Sequence, residues 1–172
     1  MRYLLDSNTC IHAIRGTATV IKAVAARSPD DIAVSSITCY ELYTGVEKCA
    51  IPTRERAKVE LFFNPLHQLV FDLSAALEAA RIRATLESRG EMIGPYDVLI
   101  AGHARALGLV LVTANTKEFV RVPDLRSRTG SLREWSAKAV GSSGRSAVML
   151  PDCLIVLEWP LHRTLSTAGG RM

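Results

Sequence analysis

The chain has 172 residues, 48% hydrophobic and 22% charged, which fits one folded domain with a substantial core and excludes a disordered chain. No basic segment leading into an apolar run opens it, and no apolar run reaches membrane-spanning length, so a cytoplasmic protein with no membrane association is expected. The net charge of +4 is uneven, because residues 1–119 balance 13 basic against 13 acidic side chains while residues 120–145 carry six against two.

Tyr3-Leu4-Leu5 reads as a short buried strand, and Asp6-Ser7-Asn8-Thr9 as a turn with several candidate caps. Residues 10–15 give a brief helix stopped by Gly16, and residues 17–27 a second one with Val20, Ile21 and Val24 on one face. Residues 32–35 form the second strand, and from Ser36 the period turns helical through Ile37, Tyr40, Leu42 and Val46. An amphipathic segment over 54–63 ends before Pro65. Leu69-Val70-Phe71 predicts a third strand, followed by a long helix capped by Ser74 and terminated by Gly90. Pro95 suits the first turn of the next helix, which runs to Gly108. Val110-Leu111-Val112 is the fourth strand.

This alternation predicts a parallel sheet covered by helices on both faces, with right-handed crossovers. Residues 140–146 (VGSSGRS) read as a linker. Beyond it, 148–161 is apolar but broken by Pro151, Asp152, Glu158 and Pro160. An added edge strand, an interaction segment and a poorly ordered tail are all compatible with that pattern. The four cysteines (Cys10, Cys39, Cys49 and Cys153) lack C-x-x-C or zinc spacing and read as buried free thiols.

Four acids stand where folding alone does not call for them. Asp6 ends the first strand, Glu41 lies in the helical segment after the second, Asp97 opens the helix after Pro95, and Glu118 follows the fourth strand. In an α/β protein these positions converge at the carboxyl edge of the sheet. Carboxylates gathered there repel one another unless a hard divalent cation, Mg²⁺ or Mn²⁺, neutralises them. Without those four acids, residues 1–119 hold 13 basic against nine acidic side chains, a balance suited to a polyanionic substrate. Taken singly, Asp6 and Asp97 also fit ordinary roles at helix starts, where the helix dipole favours an ionised Asp97.

The stretches LLDSNTCI, SSITCYELYTGVEK, IGPYDVLIAGHARALGLVLVT and NTKEFVRVPDL closely resemble the VapC toxin ribonucleases of the PIN-domain superfamily, in order and spacing, over residues 1–135. The resemblance implies a three-layer α/β/α sandwich with a central parallel sheet. It also implies a Mg²⁺- or Mn²⁺-dependent endoribonuclease that cuts structured RNA such as a transfer RNA, dimerises, and is silenced by a VapB-like antitoxin. By position, Asp6, Glu41 and Asp97 match the family's core acids, and Glu118 matches the acid of its N-x-x-E-F motif. Asp6 and Asp97 would hold the metal, with Glu41 and Glu118 orienting water. Ser7, Asn8, Thr113 and Asn115 are candidate supporting side chains.

The chain departs from the family pattern at two places. Asn115 stands where many relatives in the superfamily carry an aspartate, which leaves Asn115 and Glu118 as alternatives for completing the site. Residues 126–131 resemble a partial insertion, and residues 136–172 form an extension beyond the nuclease-like 1–135. Two other functions fit parts of the sequence. A non-catalytic protein that binds an antitoxin and represses its operon is one. A haloacid-dehalogenase-like phosphatase with Asp6 as nucleophile is the other, although that class wants an acid at Asn8. With 6% aromatic residues, a stacking platform for single strands is not expected.

Overall fold

The computed structural model describes residues 1–129. The division at residue 135, the linker, the apolar stretch and Cys153 lie outside those residues. Five strands form one parallel sheet: β1 (Tyr3–Leu5), β2 (Ile32–Ser35), β3 (His67–Leu69), β4 (Val110–Thr113) and β5 (Ser127–Thr129), in the order β3-β2-β1-β4-β5. Among the described residues seven α-helices connect them: α1 (Ser7–Ile14), α2 (Ala18–Ala25), α3 (Ser36–Glu47), α4 (Pro52–Phe63), α5 (Leu73–Arg89), α6 (Pro95–Ala106) and α7 (Thr116–Phe119).

Strand residues alternate between two cores, which is why β1, residues 32–34 of β2 and residues 110–112 of β4 are apolar throughout. Leu5, Val34 and Val112 face one core with Val24, Leu42 and Phe63 of α2, α3 and α4. Leu4, Ala33 and Leu111 face the other with Ile82, Leu86 and Ile100 of α5 and α6. The result is the expected three-layer α/β/α sandwich. Helices α5 and α6 approach closely at Gly102, where a Cβ would lie 2.5 Å from the Ala79 backbone nitrogen. Gly90, at φ 65°, ends α5 in the left-handed conformation, which costs a glycine little.

Four details differ from the sequence reading. Strand β3 lies at His67–Leu69, not 69–71, because its pairing with Ala33, Val34 and Ser35 sets the register. The cap of α5 is Asp72, whose Oδ1 accepts from the Ala75 amide at 2.9 Å, in place of Ser74. The fifth strand has no signal in the sequence pattern, and it comes from the 126–131 stretch that reads as a partial insertion. Its edge pairing with Leu111, Val112 and Thr113 demands no apolar pattern. Finally, Cys10 is buried, but Cys39 is only half-buried and Cys49 is exposed, all three as free thiols.

Candidate active site

The sheet order reverses between β1 and β4. From β1 the chain moves outward through β2 and β3, then returns to the other side of β1 as β4. Such a switch leaves a crevice beyond the carboxyl ends of the two strands. Asp6 follows β1 directly and Thr113 ends β4, so both stand at that crevice.

Asp6 is 1% exposed and is held through both oxygens. Its Oδ1 accepts from the Thr9 amide at 2.7 Å, which caps α1. Its Oδ2 accepts from the Thr113 hydroxyl at 2.5 Å. Burial raises its pKa above the ordinary value, and the hydrogen bonds from Thr113 and Thr9 pull it back. Thr113 in turn accepts from the Asn115 amide at 2.8 Å, and Asn115 Nδ2 donates to Asp97 Oδ2 at 3.4 Å. A hydrogen-bonded path therefore runs from Asp6 through Thr113 and Asn115 to Asp97.

Glu41 joins from α3, where its Oε2 accepts from the Ser7 hydroxyl at 2.5 Å. Glu118 joins from α7, and its Oε2 accepts from the Gly94 amide at 3.3 Å. Gly94 is the residue before α6, so this contact ties α7 to the helix that carries Asp97. Ser35 caps α3 by accepting from the Ile37 amide at 3.1 Å, and the same oxygen lies 2.9 Å from His103 Nδ1 of α6. This buried pair fixes the start of α3 against α6. Burial lowers the His103 pKa, so the ring is held neutral. Asn8 is exposed, and among the described residues no side-chain hydrogen bond ties it to the acids.

Burial, and then the neighbouring carboxyls, set the protonation of the cluster. Burial first, then Glu118, Asp6 and Glu41, raise Asp97 from its ordinary 3.8 to about 7. The helix dipole, expected to favour its ionised form, is outweighed by these effects. Glu118 moves the other way, held down by the Gly94 amide and the Asn115 side chain. A proton shared by the two carboxyls therefore rests on Asp97.

These residues suit a hard divalent cation, since the carboxylates offer oxygen donors and, among the described residues, no basic side chain forms an ion pair with the four acids. Among the described residues, no group of three His, Cys, Asp or Glu side chains is arranged to hold an ion by itself. Mg²⁺ needs less, because it binds through one or two carboxylates and keeps several waters.

Two exposed tyrosines flank the acids. Tyr40 and Tyr96 directly precede Glu41 and Asp97, their ring centroids lie 5.5 Å apart, and the Tyr96 hydroxyl donates to that of Tyr40 at 3.4 Å. The composition argued against any stacking surface, yet folding concentrates these rings at one place. The Tyr-Glu and Tyr-Asp dipeptides were the available signal. The Glu118–Gly94 contact has no counterpart in sequence spacing.

Comparison with known proteins agrees with this arrangement. The PIN domain model matches residues 3–125. A tRNA(fMet)-specific endonuclease VapC of Salmonella typhimurium is 42% identical over 126 residues, covering 73% of this chain and 96% of the relative. Ribonuclease VapC2 of Haemophilus influenzae is 39% identical over 127 residues, covering 74% and 96%. The crystal structure of DNA-bound VapBC from Salmonella typhimurium superposes with a TM-score of 0.72 at 40% identity, covering 76% of this chain and 98% of that one. VapBC2 of Rickettsia felis, bound to a promoter DNA fragment, gives 0.71 at 34% identity, covering 75% and 98%. These relationships displace the phosphatase alternative, and the chain belongs to the PIN-domain family, among its VapC toxin ribonucleases.

Proposed function

We propose that this toxin ribonuclease hydrolyses RNA phosphodiester bonds at the cluster of Asp6, Glu41, Asp97 and Glu118, with Mg²⁺ or Mn²⁺ as cofactor. The observation that carries this reading is the hydrogen-bonded path from Asp6 through Thr113 and Asn115 to Asp97. It joins the ends of two strands to the start of α6 and fixes two carboxyls at one crevice.

Asp6 and Asp97 would hold the cation, which supplies an acidified water and screens charge on the phosphoryl oxygens. Thr9 and Thr113 keep the Asp6 carboxyl oriented, and Asn115 does the same for Asp97. Glu41, steered by Ser7, and Glu118, steered by Gly94, orient water, and one of the two takes the proton from the attacking molecule. Water attack leaves a 5′-phosphate on the product. In this assignment Glu118 completes the acid set and Asn115 supports it as a donor.

Transfer RNA is the proposed substrate, from the activity named for the Salmonella and Shigella flexneri relatives, and unpaired loops are where proteins reach RNA bases. A VapB-like antitoxin is the proposed inhibitor, because the structural neighbours are VapBC complexes. A homodimer is proposed on the exposed apolar residues Val70, Leu73 and Leu77, which a second copy could cover. No described helix is long and apolar enough to cross a membrane, in keeping with action in the cytoplasm.

The test is incubation of the purified, partner-free protein with total RNA and Mn²⁺. Discrete fragments bearing 5′-phosphates, absent with Asp97→Asn, are expected. Tight RNA or antitoxin binding without cleavage would instead favour the non-catalytic regulator.

A further inference from the structure

We propose that Tyr40 and Tyr96 form a stacking step for an unpaired RNA base, seating the nucleotide next to the scissile phosphate. This inference rests on the ribonuclease reading and adds residues that read the substrate. Among the described residues these are the two exposed rings of the Phe, Tyr and Trp type, 53% and 39% exposed. The other rings serve the cores or lie partly covered, whereas this pair supports neither core cluster.

Their placement points to a ligand. Tyr40 comes from α3 and Tyr96 from α6, and each adjoins an acid of the site in sequence. The rings are tilted by 54° at a centroid distance of 5.5 Å, so a base lying flat on one meets the other at an angle. The hydroxyl hydrogen bond between them restrains the pair before any ligand arrives, which lowers the entropic cost of binding. Lys48 lies close enough to act on the Tyr40 phenol, and Arg121 acts on Glu118. Positive charge is thus within electrostatic reach of both the ring pair and the acids, where it can meet the phosphates of a bound strand. Aromatic stacking accepts any base through its π-face, so the pair favours single-stranded RNA over duplex.

The experiment compares wild type with Tyr40→Ala, Tyr96→Ala, the double variant and the two Phe variants. Cleavage of a single-stranded RNA in Mn²⁺ gives KM and kcat. Quenching of 2-aminopurine in the same RNA, read in an Asp97→Asn background, reports stacking without cleavage. Each Ala variant should raise KM by about 5- to 150-fold, the range for loss of one stacked base, with a smaller change in kcat. Quenching should vanish in the double Ala variant and persist with Phe. Unaltered thermal midpoints will show that the exposed substitutions leave the fold intact. If wild type cleaves while the double Ala variant keeps wild-type KM and quenching, the stacking step is overturned and the nuclease reading stands. Tyrosine-dependent quenching without wild-type cleavage would support the step and overturn the nuclease reading. Lost affinity for an antitoxin peptide with unchanged RNA binding would assign the pair to protein docking and overturn the step.

Discussion

The Thr113 hydroxyl donates to Asp6 Oδ2 at 2.5 Å, linking the carboxyl ends of β1 and β4 where the sheet order reverses. The bond has two consequences. It orients a carboxyl proposed to hold the cation, and it satisfies an acid that is 1% exposed.

Thr113→Val keeps the shape of the side chain and removes its donor. Asp6 would then be more weakly held, and its pKa should rise further. Loss of such a supporting hydrogen bond costs metal affinity or activity about 10- to 100-fold. Mn²⁺ titration by calorimetry, alongside cleavage rates, will measure both. Wild-type Mn²⁺ affinity in the variant would show that Thr113 supports the fold without tuning the site.

Asp97 makes the metal-free protein sensitive to pH. Its folded pKa, about 7, lies above the ordinary 3.8, so the folded state binds more protons between those values. Its stabilising contribution is complete below the lower value and is lost as pH rises through about 7. With metal removed by EDTA, Asp97→Asn should therefore be more stable than wild type at pH 8, by on the order of 1–2 kcal/mol once the shift is discounted for the partial exposure of Asp97 to screening solvent. The difference should shrink toward pH 5. Excess Mn²⁺ should stabilise wild type by mass action and leave the variant largely unmoved. His103 contributes with the opposite sign, because burial depresses its pKa. Its contribution is complete above about 6.5 and is lost as pH falls through the depressed folded value. The Asp97→Asn variant retains that loss, so the difference between the two proteins reports Asp97 together with the carboxyls coupled to it, Glu118 first. Thermal midpoints in EDTA across pH 5–8 are the measurement, and parallel curves would contradict the assignment.

Much of this was legible because the central strands carry unbroken apolar runs that end in a polar residue, Asp6, Ser35 or Thr113. Tyr3-Leu4-Leu5 before Asp6 and Val110-Leu111-Val112 before Thr113 leave little choice of strand or edge. The NTKEF stretch marks Glu118, although its short helix α7 does not emerge from periodicity in four residues. What stayed hidden depends on distance in sequence. The separations of 56 positions from Tyr40 to Tyr96 and of 24 from Gly94 to Glu118 are bridged only by the fold. Asp97 gave the opposite impression in sequence. A helix start suggests an ionised acid, and only the neighbours supplied by other segments reverse that.

The close approach of α5 and α6 makes Gly102 a second point of control. A Cβ there would lie 2.5 Å from the Ala79 nitrogen and 2.6 Å from its Cα. Backbone atoms cannot rotate away, so the helices must separate. Gly102→Ala should destabilise by on the order of 1–3 kcal/mol, and because α6 carries Asp97, cleavage should fall as well. Gly45 in α3 is the contrast, since a Cβ there meets nothing within 4 Å. Gly45→Ala should stabilise by up to about 1 kcal/mol through helix propensity. Urea denaturation of the two variants will test the opposed signs.

The acidic crevice also offers a way to silence the enzyme. A guanidinium is permanently charged and pairs with carboxylates through two parallel hydrogen bonds, so an arginine of the antitoxin could occupy the position of the cation. Expressed alone, wild type should arrest growth, while Asp6→Ala and Asp97→Ala should relieve the arrest. Co-expression of the antitoxin should restore growth to wild type, and replacing the arginines of its toxin-binding segment with glutamine should weaken that protection. Because the two cations compete for the same carboxyls, raising Mn²⁺ should lower the apparent affinity of an arginine-bearing antitoxin peptide in vitro. Affinity that is indifferent to Mn²⁺ and to loss of those arginines would place the inhibitor elsewhere on the surface.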